Sequence, residues 1–202
     1  MNPEYSAIRH ELHGTIFGVL PAGERCETID YSRAVNAPSI VIRRARTADV
    51  PAMRRLVELF ASERILLAKA PVQYYEDVQE FFVAELDGDV VGCAALHVLW
   101  EDLAEIRSVA VDPVSQGNGL GSLLVTRVLE VARELGIQRI FVLTFETAFF
   151  QRFGFREIAG APVAPEVYQA LLQSFDEGVA EFLELERVKP NTLGNSRMLL
   201  EL

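Results

Sequence analysis

From about residue 38 onward, apolar residues recur with two alternating periods, and each change of period marks an element. "SIVIRRAR", Ser39 to Arg46, is a short run rich in β-branched residues and predicts a first strand. "TADVPAMRRLVELFASE" repeats apolar residues at Val50, Met53, Leu56, Val57 and Phe60. Steps of three and four place them on one helical face. Thr47 and Asp49 are its cap candidates, and Pro51 fits the first turn. "RILLAKAPVQYYEDVQE" keeps no period and reads as a loop with short helical pieces. "FFVAELDGDVVGCAALHVLW" predicts a hairpin turning at Asp87-Gly88. "LAEIRSVAVDP" is the next strand, closed by Asp112-Pro113. A glycine-rich corner then leads into the amphipathic run "LGSLLVTRVLEVARELG", which stops at Gly136. A buried strand "QRIFVLTF", a short helix "ETAFFQRFG", a strand "FREIAG", a helix "APEVYQALLQSF" and a terminal strand "SRMLLEL" complete the order. The alternation predicts an α/β domain with a mixed sheet over residues 38–202. Residues 1–37 hold scattered Gly, Pro and polar positions and read as an N-terminal extension, partly ordered.

Composition narrows the classes. Half of the 202 residues are hydrophobic, enough for a real core. The net charge of -10 argues against a nucleic-acid surface and against binding anionic membranes. Cys26 and Cys93 form neither a disulfide framework nor a CxxC motif, which suits two reduced thiols. His10, His13 and His97 sit in no zinc-ligand spacing, so no metal is expected. No run reaches ~18 consecutive apolar residues. The first residues also lack a signal-peptide pattern, so a cytoplasmic location is expected.

The glycine corner carries the chemistry. Gln116-Gly117-Asn118-Gly119-Leu120-Gly121 lies between the strand "IRSVAV" and a helix. Residues without Cβ let a ligand approach the backbone, and the helix behind contributes its positive end. The third glycine comes one residue too early for GxGxxG, and no lysine follows for a P-loop. Two readings remain for this corner: a cradle for a diphosphate, or a tight turn without a ligand.

In this loop, which has the form [QR]xxGxG, and in its place after "VAVDP", the chain resembles the GNAT acetyltransferase superfamily. "FFQRFGFREI", Phe149 to Ile158, resembles that family's next motif. The resemblance covers about residues 39–202. It implies a GNAT fold with a splayed mixed sheet and acetyl-CoA as cosubstrate. It places the diphosphate on Gln116, Gly117, Asn118, Gly119, Leu120 and Gly121, and the pantetheine arm along Val109, Ala110 and Val111. The thioester would lie in the V between this strand and "FVLTF".

Acetyl transfer to an amine needs a proton acceptor, because such an amine is largely protonated near neutral pH. It also needs donors for the tetrahedral oxyanion. The leaving thiolate needs little acid help, since a thiol pKa is ~8.5. Glu105 opens "EIRSVAV" close to the expected thioester and is the base candidate. Its alternative is an ion pair with Arg107 at the edge of the sheet. The family's usual acid is a tyrosine where this chain has Phe150. Thr144 offers a substitute hydroxyl, or is a satisfied core threonine. Tyr74, Tyr75 and Tyr168 are not placed by the sequence.

Several further stretches, among them "ILLAKAPVQYYEDV", "AEIRSVAV" and "KPNTLGNSRMLLEL", resemble the acetyltransferase part of N-acetylglutamate synthases, and most closely their short actinobacterial form. This resemblance implies acetylation of the α-amino group of glutamate, the first step of arginine synthesis. It implies Glu105 as base, Ser108 and Thr144 lining the substrate site, and Ser196 touching the substrate. The longer synthases' glutamate-binding arginine falls on Gly194, leaving Lys69, Lys189 and Arg197 as the cations for the carboxylates, or as solvated surface charge. That departure leaves glutamate and glutamine both open as acceptor. Residues 1–37 are too few for the arginine-binding kinase-like domain of longer relatives. Two other readings keep the fold: an acetyltransferase for a peptide N-terminus, polyamine or aminoglycoside, and a non-catalytic acetyl-CoA sensor. Free strand edges and "RMLLEL" permit a homodimer without requiring one.

Overall fold

The computed structural model describes residues 39–61, 66, 69–188 and 194–202. The expected extension over 1–37, Cys26, His10, His13 and Lys189 lie outside the described residues.

Seven strands form one sheet in the order β1-β2-β3-β4-β5-β7-β6. They are β1 Ile40–Arg44, β2 Phe81–Leu86, β3 Asp89–Trp100, β4 Leu103–Val111, β5 Arg139–Thr144, β6 Arg156–Glu157 and β7 Ser196–Glu201. Every pairing is antiparallel except β4 with β5, which makes the sheet mixed. That parallel pairing runs only through Leu103–Arg139, Ala104–Ile140 and Glu105–Phe141. Beyond Glu105 the two strands separate, so one side of β4 from Ile106 to Val111 is open to a ligand.

The helices are α1 Val50–Ala61, α2 Pro71–Glu76, α3 Leu120–Glu134, α4 Thr147–Gln151, α5 Pro165–Leu171 and α6 Glu177–Phe182. Strand alternation sorts their packing. Ala104 and Ile106 face α3, whose Leu124, Val125, Val128 and Ala132 are buried against them. Cys93, Ala95 and Ala110 face α1. Leu103 and Phe141 face α5 and α6 through Leu171, Val179 and Phe182. Glu105 and Arg107 share the side of Leu103, at the seam between the α1 and α6 clusters.

One local irregularity aims the site. Cys93 pairs with Ala110 and Ala95 with Arg107, so Ser108 and Val109 together oppose Ala94. This is a β-bulge, and Ser108 takes φ +56° to make it. A left-handed non-glycine residue costs about 1–2 kcal/mol, a strain the flanking strand pairs hold in place.

The predicted elements differ from the observed ones at several points. "FREIAG" contributes only two strand residues, Arg156–Glu157. Helix α1 is preceded by a single 3-10 turn at Thr47–Asp49. There Asp49 accepts from Arg46 N–H at 2.7 Å and pairs with Arg43 at 2.7 Å, instead of capping the helix from its first position. Helix α6 was not predicted at all, because its six residues are too short to display a period.

Candidate active site

A groove of about 510 Å³ opens where β4 and β5 part. Its floor holds Ile106, Arg107, Ser108, Val109 and Val111 from β4, and Val142, Leu143 and Thr144 from β5. Gln116, Gly117, Gly119, Leu120 and Gly121 close one end, and Phe149, Phe150 and Arg152 form a wall. Of the strand residues expected along the pantetheine arm, Val109 and Val111 face the groove. Ala110 is turned into the α1 cluster and can contribute only its backbone.

The glycine loop fits a diphosphate by its backbone. Gly117 and Gly119 have φ +83° and +76°, and a Cβ on either would meet nothing within 4 Å. The space in front of them is therefore free for a ligand. Gly119 is the N-cap of α3 and offers no side-chain acceptor, so the helix's first N–H groups stay available. The polar side chains of the loop fold backward. Gln116 Nε2 donates to Val111 O at 3.2 Å, and Asn118 Nδ2 donates to Ser115 O at 3.2 Å. Arg152 adds the local cation, its guanidinium 5.0 Å from the centre of the Phe149 ring.

Glu105 sits at the last paired position before the strands part. It is 3 % exposed, and its Oε2 is buried with no hydrogen-bond partner among the described residues. Burial pushes its carboxyl up to about 7, with Asp176 adding to the push against Arg107, His97 and Lys69. The expected alternative, an ion pair with Arg107 at a sheet edge, is not what surrounds it. Strand β4 is central, and Arg107 donates instead to Asp176 at 2.8 Å, Glu80 at 2.8 Å and Asp77 at 3.3 Å. Above Glu105 lies α6. A Cβ at Gly178 would collide with Glu105 Oε2, so only glycine allows this approach. Asp176 accepts from Val179 N–H at 3.0 Å and thus caps α6 while holding Arg107.

The remaining candidates fall in different places. Ser108 and Thr144 line the groove together. Thr144 Oγ1 accepts from Glu146 N–H at 2.9 Å, which leaves its own O–H free to donate. Ser196 pairs with Thr144 across β5 and β7, and its hydroxyl lies 3.5 Å from Glu157 Oε1. Lys69 is paired with Asp77 at 2.9 Å. Arg197 lies over the Phe141 ring and donates to the backbone carbonyls of Glu181, Phe182 and Gly160. It closes the C-terminal end of α6 rather than facing the groove. Phe150 is buried edge-to-face between Phe149 and Phe155, so no hydroxyl stands at that position.

Comparison with known proteins agrees with this geometry. The sequence profile of the acetyltransferase (GNAT) family matches residues 51–155, which include α1, the bulged β4, the glycine loop and the aromatic wall. The chain belongs to the acetyltransferase (GNAT) family. An amino-acid acetyltransferase from Mycobacterium tuberculosis is 62 % identical over 165 residues, covering 80 % of this chain and 94 % of that protein. The structure of Rv2747 from Mycobacterium tuberculosis, in complex with CoA and NLQ, superposes with a TM-score of 0.78 over 80 % of this chain and 99 % of that one, at 62 % identity. An N-acetylglutamate synthase from Neisseria gonorrhoeae, complexed with coenzyme A and N-acetyl-glutamate, aligns at 25 % identity with a TM-score of 0.65, over 83 % of this chain. The match covers 36 % of that synthase.

As a GNAT acetyltransferase the chain is an enzyme whose acetyl donor is acetyl-CoA. Among the described residues no group of His, Cys, Asp and Glu could hold a metal, and no helix is long and apolar enough to cross a membrane. Sequence reasoning missed the residues that surround Glu105: His97, Asp176, Gly178 and Glu181. Arg107 it saw only as a partner for Glu105. The signal for α6 lay in "DEGVAEF", an acidic cap and first turn before an apolar pair.

The buried Glu105 carboxyl has a cost in stability that can be measured. A carboxyl whose folded pKa lies above its unfolded value binds more protons when folded, so stability falls as pH rises between the two. For Glu105 that window runs from 4.5 to about 7. Glu105→Gln is therefore expected to raise the thermal midpoint by a few degrees at pH 8 and leave it unchanged at pH 4, read by scanning calorimetry of the free protein.

Proposed function

We propose that the chain transfers the acetyl group of acetyl-CoA to the α-amino group of L-glutamate, or of L-glutamine, as the first step of arginine synthesis. The observation that carries this reading is the position of Glu105. It stands at the apex where β4 and β5 part, with its carboxyl held up to about 7 and next to the Ser108 bulge. Acetyl-CoA supplies a thioester carbonyl for attack. The N–H groups of the glycine loop hold the diphosphate, with Arg152 beside it. The open side of Val109–Val111 pairs with the pantetheine arm. Glu105 takes the proton of the attacking amine, directly or through a water. Thr144 O–H and Ser108 donate within the groove, and Ser196 touches the substrate from β7. Of the three cations, Lys69 and Lys189 are the proposed partners of the substrate carboxylates, while Arg197 holds the end of α6. Residues 38–202 are the catalytic domain, and 1–37 an extension to it.

Two named relatives support the amino-acid acceptor: an amino-acid acetyltransferase and an N-acetylglutamate synthase. Glutamine is the second reading because of the cations. Lys69 is already paired with Asp77, and Arg197 is spent on backbone carbonyls. A neutral side-chain amide asks for neither, whereas a second carboxylate requires an ionic partner. The test is free-thiol release from acetyl-CoA with glutamate, glutamine, aspartate, lysine, a peptide and an aminoglycoside. Turnover confined to glutamate and glutamine is expected, ranked by kcat/KM. Turnover only with cationic acceptors would overturn the substrate and keep the fold.

A further inference from the structure

Among the described residues, Glu105 is one of two buried carboxyl groups in this region. Glu181 lies on α6, one turn beyond Gly178, the residue pressed against Glu105 Oε2. Residues three apart share a helical face, so Gly178 and Glu181 are turned the same way. Glu181 is 3 % exposed, as Glu105 is. Its Oε1 is also buried with no hydrogen-bond partner among the described residues. Two buried carboxyls on adjoining elements, each with an unpartnered oxygen out of water, cannot both be ionised at tolerable cost. A single proton retained by the pair removes one of the two buried charges.

We propose that Glu181 is a positioning residue for the base: it retains a proton and donates it toward Glu105 Oε2, holding Glu105 ionised for the incoming amine. The inference rests on the role given to Glu105 above and extends it. No bond other than those to hydrogen changes. The proton leaving the amine nitrogen goes to Glu105, the pair then carries two protons, and one returns to water after the product leaves.

The charged surroundings agree with one proton on the pair. The charges acting on Glu181 are those of Glu105 on β4, Asp176 and Glu177 at the start of α6, and Arg197 on β7. Those acting on Glu105 are Arg107, Asp176, His97 on β3, and Lys69. Burial pushes Glu181 up to about 8, and the Glu105 charge adds to the push. Glu105 has the charges of Arg107 and Lys69 to favour its ionised form, whereas Glu181 has Arg197 alone, so the proton of the pair belongs on α6. The Arg197 guanidinium cannot neutralise it fully, because its Nη donors are held by the carbonyls of Glu181, Phe182 and Gly160.

Two variants separate this role from a merely structural one. Glu181→Gln keeps a donor N–H of the same size, and Glu181→Leu removes it. In the pH profile of kcat/KM for the amino acid, the unmodified enzyme is expected to rise through about pH 7. Glu181→Gln should keep that limb within a few tenths of a unit. Glu181→Leu should move it up by about one to two units, so that activity lost near pH 7 returns near pH 9. An unmoved limb in a folded Glu181→Leu protein would overturn the proposal, as would a Glu181→Gln limb that shifts equally. Infrared difference spectra in D2O give a readout that needs no turnover. A protonated-carboxyl band at pH 7.5 should be present in the unmodified protein and lost in Glu181→Gln, and its absence from the unmodified protein also overturns the proposal. If the limb persists in Glu105→Gln, it is the base assignment that fails, while the infrared band still reports on Glu181.

Discussion

Glu105→Gln is expected to lower kcat with glutamate or glutamine by about 10²–10⁴-fold, the range that a positioned general base contributes. The amide has the size of the carboxyl and keeps β4 and α6 packed, so the loss measures proton transfer rather than collapse of the site. Acetyl-CoA affinity should not change, because Glu105 is absent from the walls of the groove that the glycine loop closes. The sign of the pH dependence follows from the burial of the group. A base works only when ionised, and Glu105 is held up to about 7. Activity of the unmodified enzyme should therefore rise with pH through that value and level off above it. The variant should lack this limb and keep only the titration of the amine itself. Stopped-flow or steady-state thiol release across pH 5.5–9.5, with equilibrium dialysis of acetyl-CoA, checks both halves. A variant with undiminished kcat and unaltered acetyl-CoA binding would remove Glu105 from the mechanism.

Much of this site can be read from the chain because it depends on local chemistry. The turn after Val111, the run Gln116 to Gly121 and the start of α3 are contiguous, so composition alone exposes them. The hairpin at Asp87-Gly88 and the glycine stop at Gly136 are legible for the same reason: each needs a positive φ, found at +51°, +96° and +80°. The parting of β4 and β5 is not legible. It is a property of register between strands some 30 residues apart, with pairing that ends at Glu105–Phe141. The fates of Lys69 and Arg197 were hidden too. Both look like free cations in the sequence, yet one is held by Asp77 and the other by carbonyls at the end of α6. The carboxyls that surround Arg107 come from residues 77, 80 and 176, which no window of the chain brings together. Long-range assembly thus sets the electrostatics around Glu105, and local pattern sets the glycine corner.

Because the proposed diphosphate cradle is made of backbone, a change at its centre tests it most sharply. Gly119→Glu is expected to raise the Kd for acetyl-CoA by at least about 100-fold while leaving the free protein folded. Two physical effects add. Gly119 takes φ +76°, and a non-glycine residue there costs about 1–2 kcal/mol, equivalent to roughly a tenfold loss if strain displaces the loop. The carboxylate would then stand in the free space before the first N–H groups of α3, where the helix end favours an anion. It would occupy the diphosphate's place and repel its charge. Gly119→Ala separates the two effects, since it carries the strain without the charge, and should weaken binding by about tenfold or less. Isothermal titration of acetyl-CoA into each variant, with thermal midpoints of the free proteins as control, reads the difference. Unaltered affinity in Gly119→Glu would mean that the corner is a turn without a ligand. A loss in Gly119→Ala as deep as in Gly119→Glu would instead place the effect in loop conformation rather than in anion binding. Only a graded loss, small for the methyl group and large for the charge, is what an anion cradle built from free N–H groups at a helix end requires.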